Sequence, residues 1–250
     1  MAGHSHSANI KHRKNAVDAK RGKLFSKLAR AVISAARQGG GDLDGNPRLK
    51  LAVEKAKAGN MPKDSIARAI RRGTGEGEEA AQFEDLLYEG YAPGGVAVLV
   101  ACLTDNRHRT APEVKHLFDK HEGNLGAPGS VAFLFDLRSV FGAEVGERDE
   151  DSWLELALEA GAEDVEFDAD FVTILAPAVE FLDVKGALEA AGVELSAAET
   201  AYVPQNSVEV TERDVARRVL RLLEALEDND DVQHVYANYD MPTEWLVGDD

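Results

Sequence analysis

The chain has 250 residues, with 28 Lys+Arg against 45 Asp+Glu, a formal net charge of −17 and 44% hydrophobic residues. That is enough apolar chain for one large domain or two to three small ones, and it excludes global disorder. The longest apolar run, Val96 to Leu103, is eight residues against the roughly 20 that a membrane helix needs, and the single cysteine, Cys102, excludes an intrachain disulfide or a cysteine-cluster metal site and fits a reducing cytoplasm.

The charge is unevenly spread. Residues 1–75 hold 17 basic and 5 acidic residues, a balance of +12, and the remainder stands at −29. A basic head on an acidic body points to a polyanion as the partner of the head. The competing reading is that head and body neutralise each other.

In chain order, the opening MAGHSHSANIKHRK has no apolar stretch behind its charges. It is read as a basic tail, with Lys11, Arg13 and Lys14, and not as a secretory signal. A helix is expected from Asn15 to the Gly39-Gly40-Gly41 stop, with Leu24, Leu28, Ala31, Val32 and Ala35 as its apolar stripe. At about 100° per residue, Lys20, Lys23, Lys27, Arg30 and Arg37 fall on another side. Arg21 does not share that side, and Ile33 lies off the stripe. A second helix is expected from Asn46-Pro47 to Gly59, and a third from Pro62 to Gly73. Three helices too short to bury their stripes alone make a small helical domain the economical solution.

GTGEGEEAA, residues 73–81, reads as an acidic linker rather than a phosphate loop, because it follows a helix and not a strand. Strands are expected at 83–90 and 96–104, then a helix over 111–121. From Val131 to Val203 the order strand, helix, strand, strand, helix, strand is ferredoxin-like. A helix near 212–226 and a strand at 232–239 are expected to complete a second sandwich with the strands at 83–104. The spacing therefore predicts an α+β chain: a basic tail and three-helix domain over 1–75, then two ferredoxin-like α/β sandwich domains. One of these, 130–205, is inserted in the other, 82–129 plus 206–240.

No G-x-S-x-G, H-E-x-x-H or P-loop is present, so no enzyme activity and no cofactor are expected. His108, His116, His121 and His234 are scattered and read as structural or solvated. Asp228, Asp230 and Asp231 read as a solvated helix-to-strand turn rather than a calcium loop, since no glycine supplies the sharp turn. In Thr104-Asp105-Asn106-Arg107-His108-Arg109-Thr110, two arginines stand in an acidic body. Arg107 and Arg109 are placed to meet either phosphate or the body's own carboxylates.

Several blocks carry a family resemblance: MAGHS, ANIKHRK, DAKRGK, NPRLKLAVEKAKAGNMPKDSIARAIRRG, YEGYAPGGVAVLVACLTDNRHRT and LEDNDDVQHVYANYD. From Met1 to about Asp240 the chain resembles the YebC family. Its members are described as probable transcriptional regulators, and some, organellar relatives included, are linked to translation, especially of proline-rich stretches. The resemblance implies a helical N-terminal domain and two α/β domains around a cleft. His6 and Ser7 stand where the family commonly has a lysine and a tryptophan, which removes a possible base-stacking ring.

Together these readings predict a cytoplasmic, non-enzymatic nucleic-acid-binding regulator. Lys11, Arg13, Lys14, Lys20, Arg21, Lys23, Lys27 and Arg30, with Arg107 and Arg109 behind them, are the candidate phosphate contacts. The resemblance points to DNA. Ribosomal RNA, through a ribosome-associated role in translation, is the alternative, because shape and phosphates can suffice there. An enzyme working in the cleft is the remoter option.

Overall fold

The computed structural model describes residues 21–75, 83–168 and 170–246. In chain order, the helical head comprises α1 (Arg21–Gly39), α2 (Pro47–Ala58) and α3 (Lys63–Gly73). It is followed by β1 (Glu84–Tyr91), β2 (Ala97–Thr104), α4 (Arg107–Lys120) and β3 (Asn124–Leu125). Next come β4 (Phe135–Glu144), α5 (Glu150–Glu159), β5 (Asp164–Asp168), β6 (Phe171–Pro177), α6 (Phe181–Ala190) and β7 (Leu195–Pro204). The described chain closes with β8 (Val208–Glu209), α7 (Arg213–Glu227), β9 (Val232–Ala237), β10 (Tyr239–Asp240) and α8 (Thr243–Leu246).

The head is held by the second half of α1. Val32, Ile33, Ser34, Ala35 and Ala36 are all buried, because α2 and α3 pack on different sides of α1. Ile33 lies off the stripe that the sequence suggests, yet it is buried because α3 approaches there: a Cβ on Gly73 would stand 2.6 Å from the Ile33 carbonyl oxygen and 2.7 Å from the Ala36 Cβ. Only glycine allows that approach. Asn46 fastens the turn between α1 and α2. Its Oδ1 accepts the Leu49 N–H at 3.0 Å, and its Nδ2 donates to the carbonyls of Ala35 and Gly40 at 2.9 and 2.8 Å. This N-cap side chain is 4% exposed, so it closes two helix ends at once.

The first sheet has the order β3-β1-β2-β9. β2 lies inside it and is apolar along nearly its whole length, as a strand covered on both faces must be. α4 and α7 cover one face, with Val114, Phe118, Val219, Leu222 and Leu226 meeting Val98, Val100 and Val235. β9 reaches its place beside β2 only after the whole of β4 to β7 has been laid down. The second sheet has the order β5-β6-β4-β7, antiparallel throughout, with α5 and α6 over one face. There Trp153 is 1% exposed, and its indole N–H donates to the Val145 carbonyl at 3.0 Å.

The helix-free faces of the two sheets pack against each other. Ala97 and Leu99 of β2 and Tyr236 of β9 meet Val140, Leu175 and Ala201 of the second sheet, and the rings of Tyr202 and Tyr236 meet edge to face at 5.5 Å. The two sandwiches therefore sit back to back with helices outside. Within the first sandwich, Asn238 ties β9 to β2 and β8: its Oδ1 accepts the Ala97 N–H at 2.7 Å while its backbone carbonyl accepts the Val208 N–H at 2.7 Å.

Local boundaries differ from the sequence reading in two places. The stretch 132–134 is a single 3-10 turn rather than the start of a strand. α4 begins at Arg107 rather than near Ala111, because the Asn106 side chain accepts the Arg109 N–H and caps it. Pro112, late in the second turn, does not stop the helix.

Two carboxyl groups have opposite environments. Glu89 is buried in β1 and accepts the backbone N–H groups of Gly129, Val131 and Ala132 at 2.6, 2.8 and 2.7 Å. Burial pushes its carboxyl up, but these backbone donors outweigh burial and hold it below its ordinary value. Glu166, on the edge strand β5, has a buried Oε2 without a hydrogen-bond partner among the described residues, and burial followed by the nearby Asp164 pushes it up to about 7.

The signs of the two contributions follow from linkage. The stabilisation from Glu89 is present above its unfolded value and is lost as pH falls through its lowered folded value. Glu89→Gln should therefore cost about 2 kcal/mol near neutral pH, the scale of a buried charge-assisted acceptor removed, and lose that effect in acid. Glu166 destabilises as pH rises from the ordinary carboxylate range through 7. Glu166→Gln should raise the melting temperature at pH 8 and leave it nearly unchanged at pH 4. Thermal and urea unfolding across this range measure both.

Candidate nucleic-acid interface

The candidate cations fall into three groups. Lys11, Arg13, Lys14 and Lys20 lie outside the described residues, and for Arg21 the description is limited to the backbone that opens α1. Lys23, Lys27 and Arg30 stand on α1. Arg107 and Arg109 stand in the first turn of α4, not in a loop.

The α1 group is not left to solvent alone, as helical spacing suggests: Lys23 stays half exposed, but all three cations meet oxygens of the body. It faces the turn after α7. The Lys23 ammonium donates to the Asp228 carbonyl at 3.1 Å and lies 3.8 Å from its carboxylate. The Lys27 ammonium donates to the Glu227 carbonyl at 2.5 Å. Arg30 donates to the Asp230 carbonyl and, at 2.6 Å, to Asp231 Oδ1. These carbonyls close the C-terminal end of α7, where the helix dipole is negative and cations are favoured. Burial lowers the Lys27 pKa, while Glu227, Asp228 and Asp230 act in the opposite direction.

Asp231 is the centre of this junction. The sequence reading of a solvated turn is corrected here, since Asp231 is 2% exposed. Its Oδ2 accepts the hydroxyls of Thr110 at 2.7 Å and Thr104 at 3.2 Å, and Arg109 Nη2 donates to it at 2.8 Å. Arg30 donates to Oδ1 from the head. Burial pushes the carboxyl up, but the donors Arg109 and Thr110 and the charge of Arg30 hold it below its ordinary value. Arg109 also meets Asp105 at 3.1 Å, so of the two α4 arginines it takes the body's own carboxylates. Arg107 is exposed, and its side chain makes no hydrogen bond or ion pair among the described residues.

A further cationic surface was not among the candidates. Arg68, Arg71 and Arg72 of α3 are exposed at i, i+3 and i+4, opposite Ile66, Ala69 and Gly73, which are buried. Their side chains make no hydrogen bond or ion pair among the described residues. The signal was present in the run RAIRRG, whose arginines share one helical face.

Removing the Asp231 carboxylate would take the shared acceptor from two guanidinium groups and two hydroxyls, leaving Arg30 the Asp230 carbonyl and Arg109 the Asp105 carboxylate. Because Arg109 is 44% exposed and Arg30 22%, solvent screens part of the loss. Asp231→Ala should cost about 2–3 kcal/mol, below the range for a fully buried pair, and Asp231→Asn less. The contribution of the carboxylate is present above its unfolded value and fades as pH falls through its lowered folded value. Urea titrations at neutral and acid pH should show the variants converging on the parent in acid.

Comparison with known proteins follows the same outline. A family model described as the TACO1/YebC protein N-terminal domain matches residues 5–76, and one described as the TACO1/YebC second and third domain matches residues 83–239. A probable transcriptional regulatory protein of Rubrobacter xylanophilus is 52% identical over 99% of this chain and 98% of its own length. One of Aquifex aeolicus is 50% identical over 98% of each. Among solved structures, the conserved hypothetical protein Aq1575 of Aquifex aeolicus superposes with a TM-score of 0.82 at 48% identity, covering 90% of this chain and 93% of that one. With both family models matched in order along nearly its whole length, the chain belongs to the TACO1/YebC family.

Proposed function

We propose that this protein is a nucleic-acid-binding regulator of gene expression that acts by binding rather than by catalysis, with its helical head as the phosphate-contacting part. Relatives at about half identity are named probable transcriptional regulatory proteins, which favours DNA as the target. The observation that carries the reading is the Arg68, Arg71 and Arg72 face of α3: three guanidinium groups on one helix face, exposed and unengaged among the described residues, suited to phosphate oxygens. The basic tail with Lys11, Arg13, Lys14 and Lys20 adjoins this head in the sequence and adds to its charge.

A second reading places the same head on ribosomal RNA as part of a translation factor that eases synthesis of proline-rich stretches. It is favoured by the kind of groups offered. The exposed face of α3 presents cations without an aromatic ring or an Asn/Gln pair to read a base edge, and structured RNA is recognised largely through shape and phosphates. We place the protein in the cytoplasm under either reading. No helix among the described residues is long and apolar enough to cross a membrane.

Crosslinking in cells followed by sequencing of the bound nucleic acid separates promoter DNA from ribosomal RNA. In vitro, the binding constant for a single strand should fall with salt by about 0.7 log units per log unit for each phosphate contact. Arg68→Ala/Arg71→Ala/Arg72→Ala should reduce that slope by about 2 and weaken all sequences alike, with the head still folded because the three side chains are exposed. The triple replacement of Lys20, Lys23 and Lys27 by alanine should reduce it by a similar amount. Anisotropy titrations at several salt concentrations measure both, and an unchanged slope in both folded variants would move the interface off the α1 and α3 faces.

A further inference from the structure

The cationic row of α1 is already filled in the free protein. Lys23, Lys27 and Arg30 are met, in that order, by the carbonyls of Asp228, Glu227 and Asp230, with the Asp228 carboxylate 3.8 Å from Lys23. The oxygens that meet this row lie on one short stretch of chain, from the last residue of α7 to the start of β9. A sugar-phosphate strand offers a helix a comparable line of acceptor oxygens, with full negative charge where the turn has mostly carbonyls and only the Asp228 and Asp231 carboxylates. A cleft of about 500 Å³ opens at the junction, lined by Lys23, Arg30, Arg109, Asp228 and Asp230 among others.

The contacts differ in how readily they exchange. Arg30 with Asp231 is mostly enclosed, at 22% and 3% exposure, and Asp231 is held independently by Thr104, Thr110 and Arg109. Lys23 with Asp228 is open to solvent at 48% and 37% exposure, so a polyanion can compete for that ammonium at little cost. We infer that the Glu227–Asp231 turn is a built-in competitor for the phosphate-binding face of α1: nucleic acid and turn exchange at Lys23 and Lys27, so the free protein is self-screened and binding releases the first half of α1 from the body. This inference rests on the nucleic-acid reading above and adds its regulation. The exchange also makes binding weaker than the charge of the head alone would give, because one anion must leave before another arrives.

Two sets of variants test it with a fluorescent oligouridylate as the probe. Asp228→Asn/Asp230→Asn weakens the competitor and leaves Asp231 in place. It should tighten binding about fivefold at moderate salt, an amount typical of losing one or two competing charge contacts. Asp151→Asn/Asp183→Asn, on exposed positions of α5 and α6, removes the same net charge elsewhere and should change binding less than twofold. In the second set, Lys23→Cys/Asp228→Cys is joined by a bismaleimide with a reducible spacer. Cys102 does not interfere, since it is 3% exposed and burial pushes its thiol up to about 12. The joined form should bind about tenfold more weakly than the same protein after the spacer is cleaved.

Equal binding by the joined and cleaved forms overturns the competition, as does an equal gain from the two neutralised pairs. Either result leaves the nucleic-acid reading standing if the probe still binds with a salt-dependent constant. Absence of probe binding in the parent, the neutralised and the cleaved forms overturns the competition, and the nucleic-acid reading falls with it if a fluorescent DNA duplex titrated in parallel also fails to bind.

Discussion

One carboxylate sets the relation between head and body. Asp231 takes hydrogen bonds from Arg30 of α1, Arg109 and Thr110 of α4, and Thr104 at the end of β2. Three of the partners come from one short stretch, Thr104 to Thr110, and the fourth, Arg30, reaches in from the head. Arg30 loses its deepest acceptor without the turn, and the turn loses its anchor without the hydroxyls. The end of β2, the start of α4, the end of α7 and the middle of α1 are thereby brought to one point. A buried carboxylate requires such a set of donors, and the chain supplies it from residues up to 201 positions away.

The same junction explains how a strongly acidic protein keeps a basic head next to itself. The opposite charges of the two parts are not spread as a diffuse attraction. They are concentrated where the C-terminal carbonyls of α7 and three aspartates meet three cations of α1. Attachment also runs through α2, where Lys55 meets Glu199 at 3.4 Å and Glu54 meets Lys185 at 2.7 Å. These pairs join the head to the second sandwich, so the head touches both sandwiches through ionic contacts that the three arginines of α3 do not share.

Much of this fold was legible because its signals are local. The Asn46-Pro47 cap, the Gly73 stop and the ferredoxin-like alternation over 131–203 each follow from residues close in sequence, and the elements appear there within a few residues. The α4 boundary was misplaced because Asn106 is equally good in a turn and at an N-cap, and only the later course of the backbone decides between them. The burial of Ile33 depends on a third helix crossing at Gly73, which periodicity along α1 does not contain. The site was less legible for the same reason. Helical spacing correctly separated Lys23, Lys27 and Arg30 from the apolar stripe, but it carries no information on what faces that side. The partner, some 200 residues away, reads in isolation as an ordinary polar turn.

The place of β9 has a consequence for synthesis. β2 is the most apolar strand of the chain, and one of its two edges is closed only by β9, which leaves the ribosome after every residue of the second sandwich. Until then a row of unpaired amides on an apolar strand lies open, the kind of edge that recruits strands from other chains. A nascent chain of this protein is therefore most prone to aggregate late, when it already holds a finished helical head and all four strands of the second sheet. A premature stop ahead of Val232 would leave that exposed edge as a permanent feature of the product.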